Sequence, residues 1–501
     1  DNSFRAARTC LHSQRSEGMS AFCARGGESN FTSRRRHALA HGTARAGRSK
    51  ALRADAAMGP ASPAAPLVFV GGAAVDWIAR VGGFPEPDAK IRTTAPIEVQ
   101  GGGNAANAAT CAGRLGARVA LISKVGADSN GNDLVSDLEK NGVDTSAILR
   151  QGRTPFTYIL VDETSNTRTC IHTPSDAPMR PNELDATKAL DTAIYGCLWK
   201  DHCSLDEACS PVCVFDGRIT ENALRVADAA RELRDDALLI VEAERLRSHL
   251  EELLEKADII VASKHYPFES TGEEHLGDAL ISMAFQYPRA RAIVVTLGSR
   301  GAVALLRGNW ATEQETTDEH PAANDVAASL DALQSKWQSS SSHEPANLRV
   351  PDVACIRWDD AAPLESRYSP NRGDASERDA RRTASALEEG RRNAGADAPI
   401  TSSSSQDNCG ALPAESLALL ACTACAGAKI VDTTGAGDAF IGALSAELAS
   451  AVGASRSLSL GSTFWSSALR TCSVVAALKC GGVGARSALP RRKEVNDVFR
   501  D

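Results

Sequence analysis

An α/β fold with a mostly parallel central sheet and a small β lid is predicted by three features of this sequence. Short apolar runs alternate with longer helix-periodic ones from residue 66 onward, the rhythm of repeated β–α–β units. The first such run, "LVFVGG" (67–72), closes on glycines, as a buried parallel strand does where it turns into the next segment. Two β-branched segments with partial alternation, "IRTTAPIEVQ" (91–100) and "FTYILVDETSNTRTCIHT" (156–173), fall outside that rhythm. The second carries a Ser165-Asn166 turn and reads as a hairpin, so both suit a lid laid over the ends of the main strands.

Each further element follows in order. "NAANAATCAGRLG" (104–116) is an Ala-rich helix stopped by Gly116, and "RVALISKVG" (118–126) is the next strand. "LVSDLEKNGVD" (134–144) gives a helix closed by Asn141-Gly142. Three more strands come from "LLIVEAE" (238–244), "ADIIVAS" (257–263) and "AIVVTLG" (292–298). Residues 308–424 break the pattern with Ser, Arg, Asp and Gly and little periodic apolar content, and read as a low-complexity disordered insertion. Two shorter oddities, 197–212 and 463–473, read as surface insertions or unspliced segments. The folded domain is therefore expected over 60–307 and 425–501, with the lid at about 85–100 and 155–173.

Composition narrows the function classes. At 501 residues and 43% hydrophobic content the chain can bury a sizeable core. A net charge of −8 argues against a nucleic-acid partner, because phosphate backbones attract basic surfaces. No stretch approaches eighteen consecutive apolar residues, so no membrane span is expected. The fourteen cysteines are scattered, which favours reduced thiols. Residues 1–59 are Arg-rich and acid-poor, the composition of an organelle transit peptide or of a disordered tail; plastid or mitochondrion is the expected destination, the cytoplasm otherwise.

Four local features carry chemistry. "VDTTGAGDAF" (431–440) places Gly435, Ala436 and Gly437 at a helix N-terminus, where free amides and the helix dipole favour an anion. On position alone it is equally a tight turn, with Asp438 a dipole complement. "QGGGNAANAA" sets Gly101–Gly103 before Asn104 and Asn107, which share one face of a first helical turn and suit a polyol, or merely cap the helix. Asp76 lies just beyond the first strand's glycines, where α/β sheets put ligand-binding residues. "VTLGSRGAVAL" (295–305) is a strand and glycine turn of low specificity by itself. Cys197, His202, Cys203, Cys209 and Cys213, and the pair Cys422 and Cys425, invite a zinc reading, but their spacings do not make paired knuckles.

Taken in order, these segments resemble the ribokinase-like, or pfkB-type, carbohydrate kinases. "VDTTGAGDAFIGAL" is similar to that family's C-terminal signature, "GGGNAANAATCAGRLGA" with "SKVGADSNG" to its N-terminal one, and "VTLGSRG" to its nucleotide-site turn. "FPEPDAKIR", "TRTCIHTPSD", "FDGR" and "VEAERLR" resemble the ketohexokinase-like branch and its plant relatives. The resemblance implies a ribokinase-like three-layer α/β/α sandwich and ATP- and Mg²⁺-dependent phosphorylation of a small sugar. It implies Asp438 as general base, Gly435, Ala436 and Gly437 as anion hole, and Asp76, Gly103, Asn104, Asn107 and Asp216 as sugar contacts. Arg168 in the lid would approach phosphate, while Thr296, Gly298, Ser299, Gly301 and Lys264 would face ATP. A homodimer through the lid and a K⁺ site near Asp432 are further implications.

Departures from the family pattern leave alternatives open. Asn104 stands where ribokinases carry a lysine, which leans away from ribose toward a ketohexose-like ligand. The Asn-x-x-Glu motif that organises Mg²⁺ is not evident: "ASKHYPFE" offers Ser263, Lys264 and, further on, Glu269. A nucleoside kinase of the same fold and a catalytically weak kinase-like scaffold in an organelle are the competing expectations.

Overall fold

The computed structural model of the protein describes residues 64–165, 167–199, 210–311, 328, 330, 348–358, 416–454 and 460–500. The Arg-rich segment 1–59 and His202, Cys203 and Cys209 lie outside them. β1 (Leu67–Val70), β2 (Ala74–Val81) and β3 (Glu98–Gly102) lead into α1 (Asn104–Arg114), β4 (Val119–Val125) and α2 (Ser129–Lys140). Short β5 (Val143–Asp144) and β6 (Ile148–Arg150) precede β7 (Phe156–Asp162), β8 (Thr167–Thr173) and α3 (Ala186–Trp199). The alternation continues through β9 (Val212–Phe215), α4 (Thr220–Leu233), β10 (Leu238–Ala243), α5 (Leu250–Glu255) and β11 (Ile259–Ser263). After α6 (Tyr266–Thr271), α7 (Leu276–Gln286) and β12 (Ala292–Thr296), the chain runs through β13 (Ala302–Arg307), β14 (Val353–Trp358) and β15 (Leu417–Cys422). It closes with α8 (Ala436–Ala454), α9 (Ser462–Lys479) and α10 (Arg492–Val498).

Among the described residues the main sheet has eleven strands, ordered β14-β15-β13-β12-β11-β10-β9-β1-β4-β5, with β6 beside β4. From β12 to β5 neighbouring strands run parallel, while β13, β15 and β14 are antiparallel additions. The period of two along each strand sorts the side chains into two cores. Leu67, Phe69, Val119, Leu121, Val212 and Val214 face one layer of helices, including α1, α8 and α9. Val68, Val70, Ala120, Ile122, Cys213 and Phe215 face the other, including α3, α4 and α7. This is the expected three-layer α/β/α sandwich.

Three expectations change. The lid is a separate four-stranded sheet, β3-β2-β7-β8, whose second strand Ala74–Val81 the sequence hid by running it on from β1. Residues 91–97 carry no strand, and only Glu98–Gly102 joins β2. The stretch expected as disordered insertion contains two sheet strands, β14 and β15, and every residue of Leu417–Cys422 is buried. Finally, 463–473 is no surface insertion: it lies in α9, with Trp465 fully buried against Trp310, ring centroids 5.7 Å apart.

Candidate active site

The carboxyl ends of the parallel strands form one edge, the usual ligand face of such sheets. Along it stand Gly72 beyond β1, Asp216 beyond β9, Glu242 on β10, Ser263 on β11 and Thr296 on β12. Two helix starts converge on this edge. Asp438 sits in the first turn of α8, and Gly103 immediately precedes α1. The two helices pack closely because Gly442, one turn beyond Asp438, has no side chain; a Cβ there would collide with the Ala108 carbonyl oxygen and meet Cys111 Cβ at 2.7 Å. That approach brings Asn107 Nδ2 to 2.8 Å from Asp438 Oδ2, where it donates a hydrogen bond across 331 residues of sequence.

Gly435, at φ +76°, turns the chain into α8, and a Cβ there would lie 2.8 Å from Ala485. The Gly435 carbonyl accepts from Ala439 N (2.9 Å), and Ala436 N donates to Thr433 O (3.2 Å). Gly437 is exposed, with open space where its side chain would be. The helix start therefore offers amide dipoles to a solvent-facing anion.

Burial and neighbouring charge tune the carboxylates. Burial pushes Asp438 up to about 7; Asn107 and Arg218 oppose this, Glu244 and Asp216 reinforce it. Asp76, on the inner face of β2, rises to about 6 through burial, partly offset by Arg486 and a hydrogen bond from Thr157. Glu242 is raised well above the ordinary range by burial and by Asp438 and Glu244. Among these acids Arg218 donates to Glu244 Oε2 (2.9 Å) and Asn104 Oδ1 (3.3 Å), while Asn104 Nδ2 donates to Glu242 Oε1 (3.4 Å).

Asp216, only 4% exposed, has both oxygens occupied by backbone: Oδ2 accepts from Gly72 N (2.7 Å) and Ala105 N (3.2 Å), Oδ1 from Arg218 N (2.9 Å). It ties the β1 turn to the start of α1. Arg168, on β8, donates through Nη1 to Thr433 Oγ1 (3.0 Å) and so links the lid to the loop before α8. Asp432 in that loop accepts from Thr434 N (2.8 Å), Thr434 Oγ1 (2.6 Å) and Gly484 N (2.7 Å), and Lys479 Nζ donates to its carbonyl (2.9 Å). Burial alone would raise the Asp432 carboxyl; these hydrogen bonds and the Lys479 charge hold it low.

Thr296 opens the turn to β13, where Gly298 and Gly301 both have positive φ and Ser299 is exposed. Thr296 pairs with Ser263, which donates to the Glu244 carbonyl (2.7 Å), and Lys264 is exposed beside it. These residues extend the same edge, two and three strands from β9. Cys213 is buried within β9, and among the described residues no group of three or more His, Cys, Asp or Glu is arranged to hold a metal ion. No helix among them is long and apolar enough to cross a membrane.

Sequence reasoning passed over Arg218, Glu242, Glu244 and Arg486. The first three had a legible signal, being charged residues that follow or end apolar strands at the carboxyl edge. Arg486, in "GGVGARSALP", had none.

The sequence matches the pfkB family carbohydrate kinase pattern over residues 64–325 and 383–492. It is 27% identical over 241 residues to "Probable fructokinase-3" of Arabidopsis thaliana, which covers 47% of this chain and 66% of that protein's length. To the ketohexokinase of Mus musculus it is 26% identical over 246 residues, 48% of this chain and 76% of the other. The solved structure of Arabidopsis thaliana ribokinase complexed with ribose and ATP superposes with a TM-score of 0.51 at 16% identity, over 87% of this chain and 99% of that one, and so shares the fold.

Proposed function

The chain belongs to the pfkB family of carbohydrate kinases, and from that premise we propose that it transfers the γ-phosphoryl group of ATP to the hydroxymethyl group of a small, ketohexose-like sugar. The observation that carries this reading is the Asp438 carboxylate, poised near neutrality in the first turn of α8 with its Oδ2 held by Asn107. A sugar lying between α1 and the lid would meet Asp76 and the half-buried Asn104, whose amide is held by Glu242 and Arg218. Its hydroxyl oxygen attacks phosphorus as the proton passes to Asp438, and the bond from the γ-phosphorus to the bridging oxygen of ADP breaks. The amides of Gly435 and Gly437 stabilise charge on the transferred group, whereas the Ala436 N–H, expected beside them, is already given to the Thr433 carbonyl.

ATP belongs along Thr296, Gly298, Ser299, Gly301 and Lys264, with Arg168 turned toward its phosphates. Mg²⁺, if carried on those phosphates, would supply charge neutralisation there with most of its ligands from water. A monovalent cation at Asp432 fits poorly, because the carboxylate is filled by three donors and the Lys479 ammonium holds the carbonyl; the proposal includes none.

A phosphotransfer screen with Mg-ATP over ketoses, aldoses and nucleosides tests the reading, with the highest kcat/KM expected for a ketohexose. A nucleoside preference would move the assignment within the fold. No turnover of any acceptor, with recovery of the chain in a large complex, would favour the scaffold instead. Since the base must be ionised, kcat/KM should rise with pH through about 7.

The lid also carries an apolar row on the face opposite Asp76. Val99 pairs with Trp77, Trp77 with Tyr158 and Tyr158 with Ile171, and Val99, Tyr158 and Ile171 are about half exposed. Such a row on a small sheet suits burial against a second copy, and the proposal includes a homodimer through it. Sedimentation at micromolar concentration should give a dimer that Tyr158→Asp converts to monomer; a monomeric wild type would dismiss the interface.

A further inference from the structure

Arg486 lies in the loop between α9 and α10, is 2% exposed, and makes contacts at three donor nitrogens. Nη1 donates to Asp137 Oδ2 (2.9 Å), Nη2 to the Gly102 carbonyl (3.0 Å) and Nε to Asn107 Oδ1 (3.3 Å). A guanidinium has no acceptor, so the Asn107 atom that faces it must be the carbonyl oxygen. The amide nitrogen is thereby turned to Asp438. With the amide reversed, Oδ1 would face the carboxylate and favour its protonated form.

We propose that Arg486 is a positioning residue for the reaction: it locks the Asn107 amide so that Asp438 always receives a donor and stays ionised and aimed. This rests on the kinase reading above. A purely structural role through the Arg486–Asp137 ion pair would affect stability alone, and the Arg486 charge by itself would also help keep Asp438 ionised, so a variant that keeps the charge but not the Nε contact separates the amide lock from both.

The other groups that act on Asp438 are fixed independently of Arg486. Asp216 and Arg218 follow β9, while Glu242 and Glu244 belong to β10 and its end. Lys479 on α9 and Cys111 on α1 complete the set. Arg486→Met leaves all six in place, fills similar volume and offers no donor.

Two readouts on the full chain test the proposal: the pH profile of kcat/KM with the sugar that the wild type phosphorylates, and the ¹³C-carboxyl NMR titration of Asp438 in aspartate-labelled protein, assigned through Asp438→Asn. For Arg486→Met both should move up by about one pH unit, so that kcat/KM falls about tenfold at pH 6 and recovers close to wild type by pH 9. A folded variant whose titration stays in place, and whose activity falls by one factor at every pH, overturns the proposal. Because Arg486→Met also removes a charge that acts on Asp438, the deciding variant is Arg486→Lys, which keeps a charge beside Asp137 and Asp438 without the Nε contact. A shift in the same direction then supports the role, and an unmoved titration overturns it. Should the wild type phosphorylate nothing, the kinase reading fails while the carboxyl titration still decides what Arg486 does to Asp438.

Discussion

Asp438→Asn is expected to lower phosphoryl transfer by roughly 10²–10⁴-fold while making the protein more heat-stable. The asparagine keeps the shape of the carboxylate but cannot accept the sugar's proton, so ATP affinity should persist while kcat falls. Stability moves the other way because burial raises the Asp438 carboxyl from 3.8 to about 7. The folded state therefore binds more protons than the unfolded chain between about pH 4 and 7, and the fold loses stability as pH rises through that window. At pH 8 the native protein carries an ionised, poorly solvated carboxylate that asparagine removes. The gain should be on the order of 1–3 kcal/mol, reduced from the full shift because the residue is only half-buried, and it should vanish below about pH 4. Thermal unfolding of both proteins at pH 4 and pH 8, beside a turnover assay, measures both effects. Retained turnover would remove Asp438 as the base, and a less stable variant at pH 8 would refute the account of its environment.

Asp216→Ala is expected to destabilise the fold by roughly 3–5 kcal/mol, because three backbone N–H groups, the buried one of Ala105 and the half-buried ones of Gly72 and Arg218, lose their acceptor together. Gly72 and Ala105 would separate, and α1 would lose the anchor that sets Asn104 and Asn107 at the edge. A lower urea midpoint with unchanged slope, joined to a raised KM for the sugar, is the expected pair of results. The alternative, that Asp216 touches the sugar directly as the family resemblance implies, predicts loss of sugar binding with an unaltered midpoint. Asp216→Asn should fall between, since an amide retains one acceptor oxygen but turns its own N–H groups toward backbone donors.

Much of this site was legible before any fold was known, and the parts that were not share a cause. The glycine-led helix starts at 101–107 and 431–440 announce themselves because turn chemistry and helix capping depend on neighbouring residues. The carboxyl-edge strands were equally plain, since the apolar period of each is a local property. Asp76 and Asp216 were found, but not what holds them: the partners of Asp216 lie 144 and 111 residues away, apart from the Arg218 amide. The second strand of the lid was missed because β1 and β2 form one continuous apolar stretch, and only three residues, Gly71–Ala73, carry the chain from one sheet to the other. Strands β14 and β15 were masked by the polar sequence between them, although "LALLAC" is fully buried.

By itself, then, the sequence determined the alternating strands and helices, the two glycine-led helix starts, one suited to an anion and one to a polyol, and the carboxylate set at the first of them. Tertiary structure alone decided which donors meet that carboxylate. Asn107 faces Asp438 because Gly442 lets α1 and α8 touch, and its amide points the right way because Arg486, 379 residues further on, can only donate. Secondary structure is written in contacts between near neighbours, whereas hydrogen-bond partners across hundreds of residues exist only once the sheet order has brought their elements together.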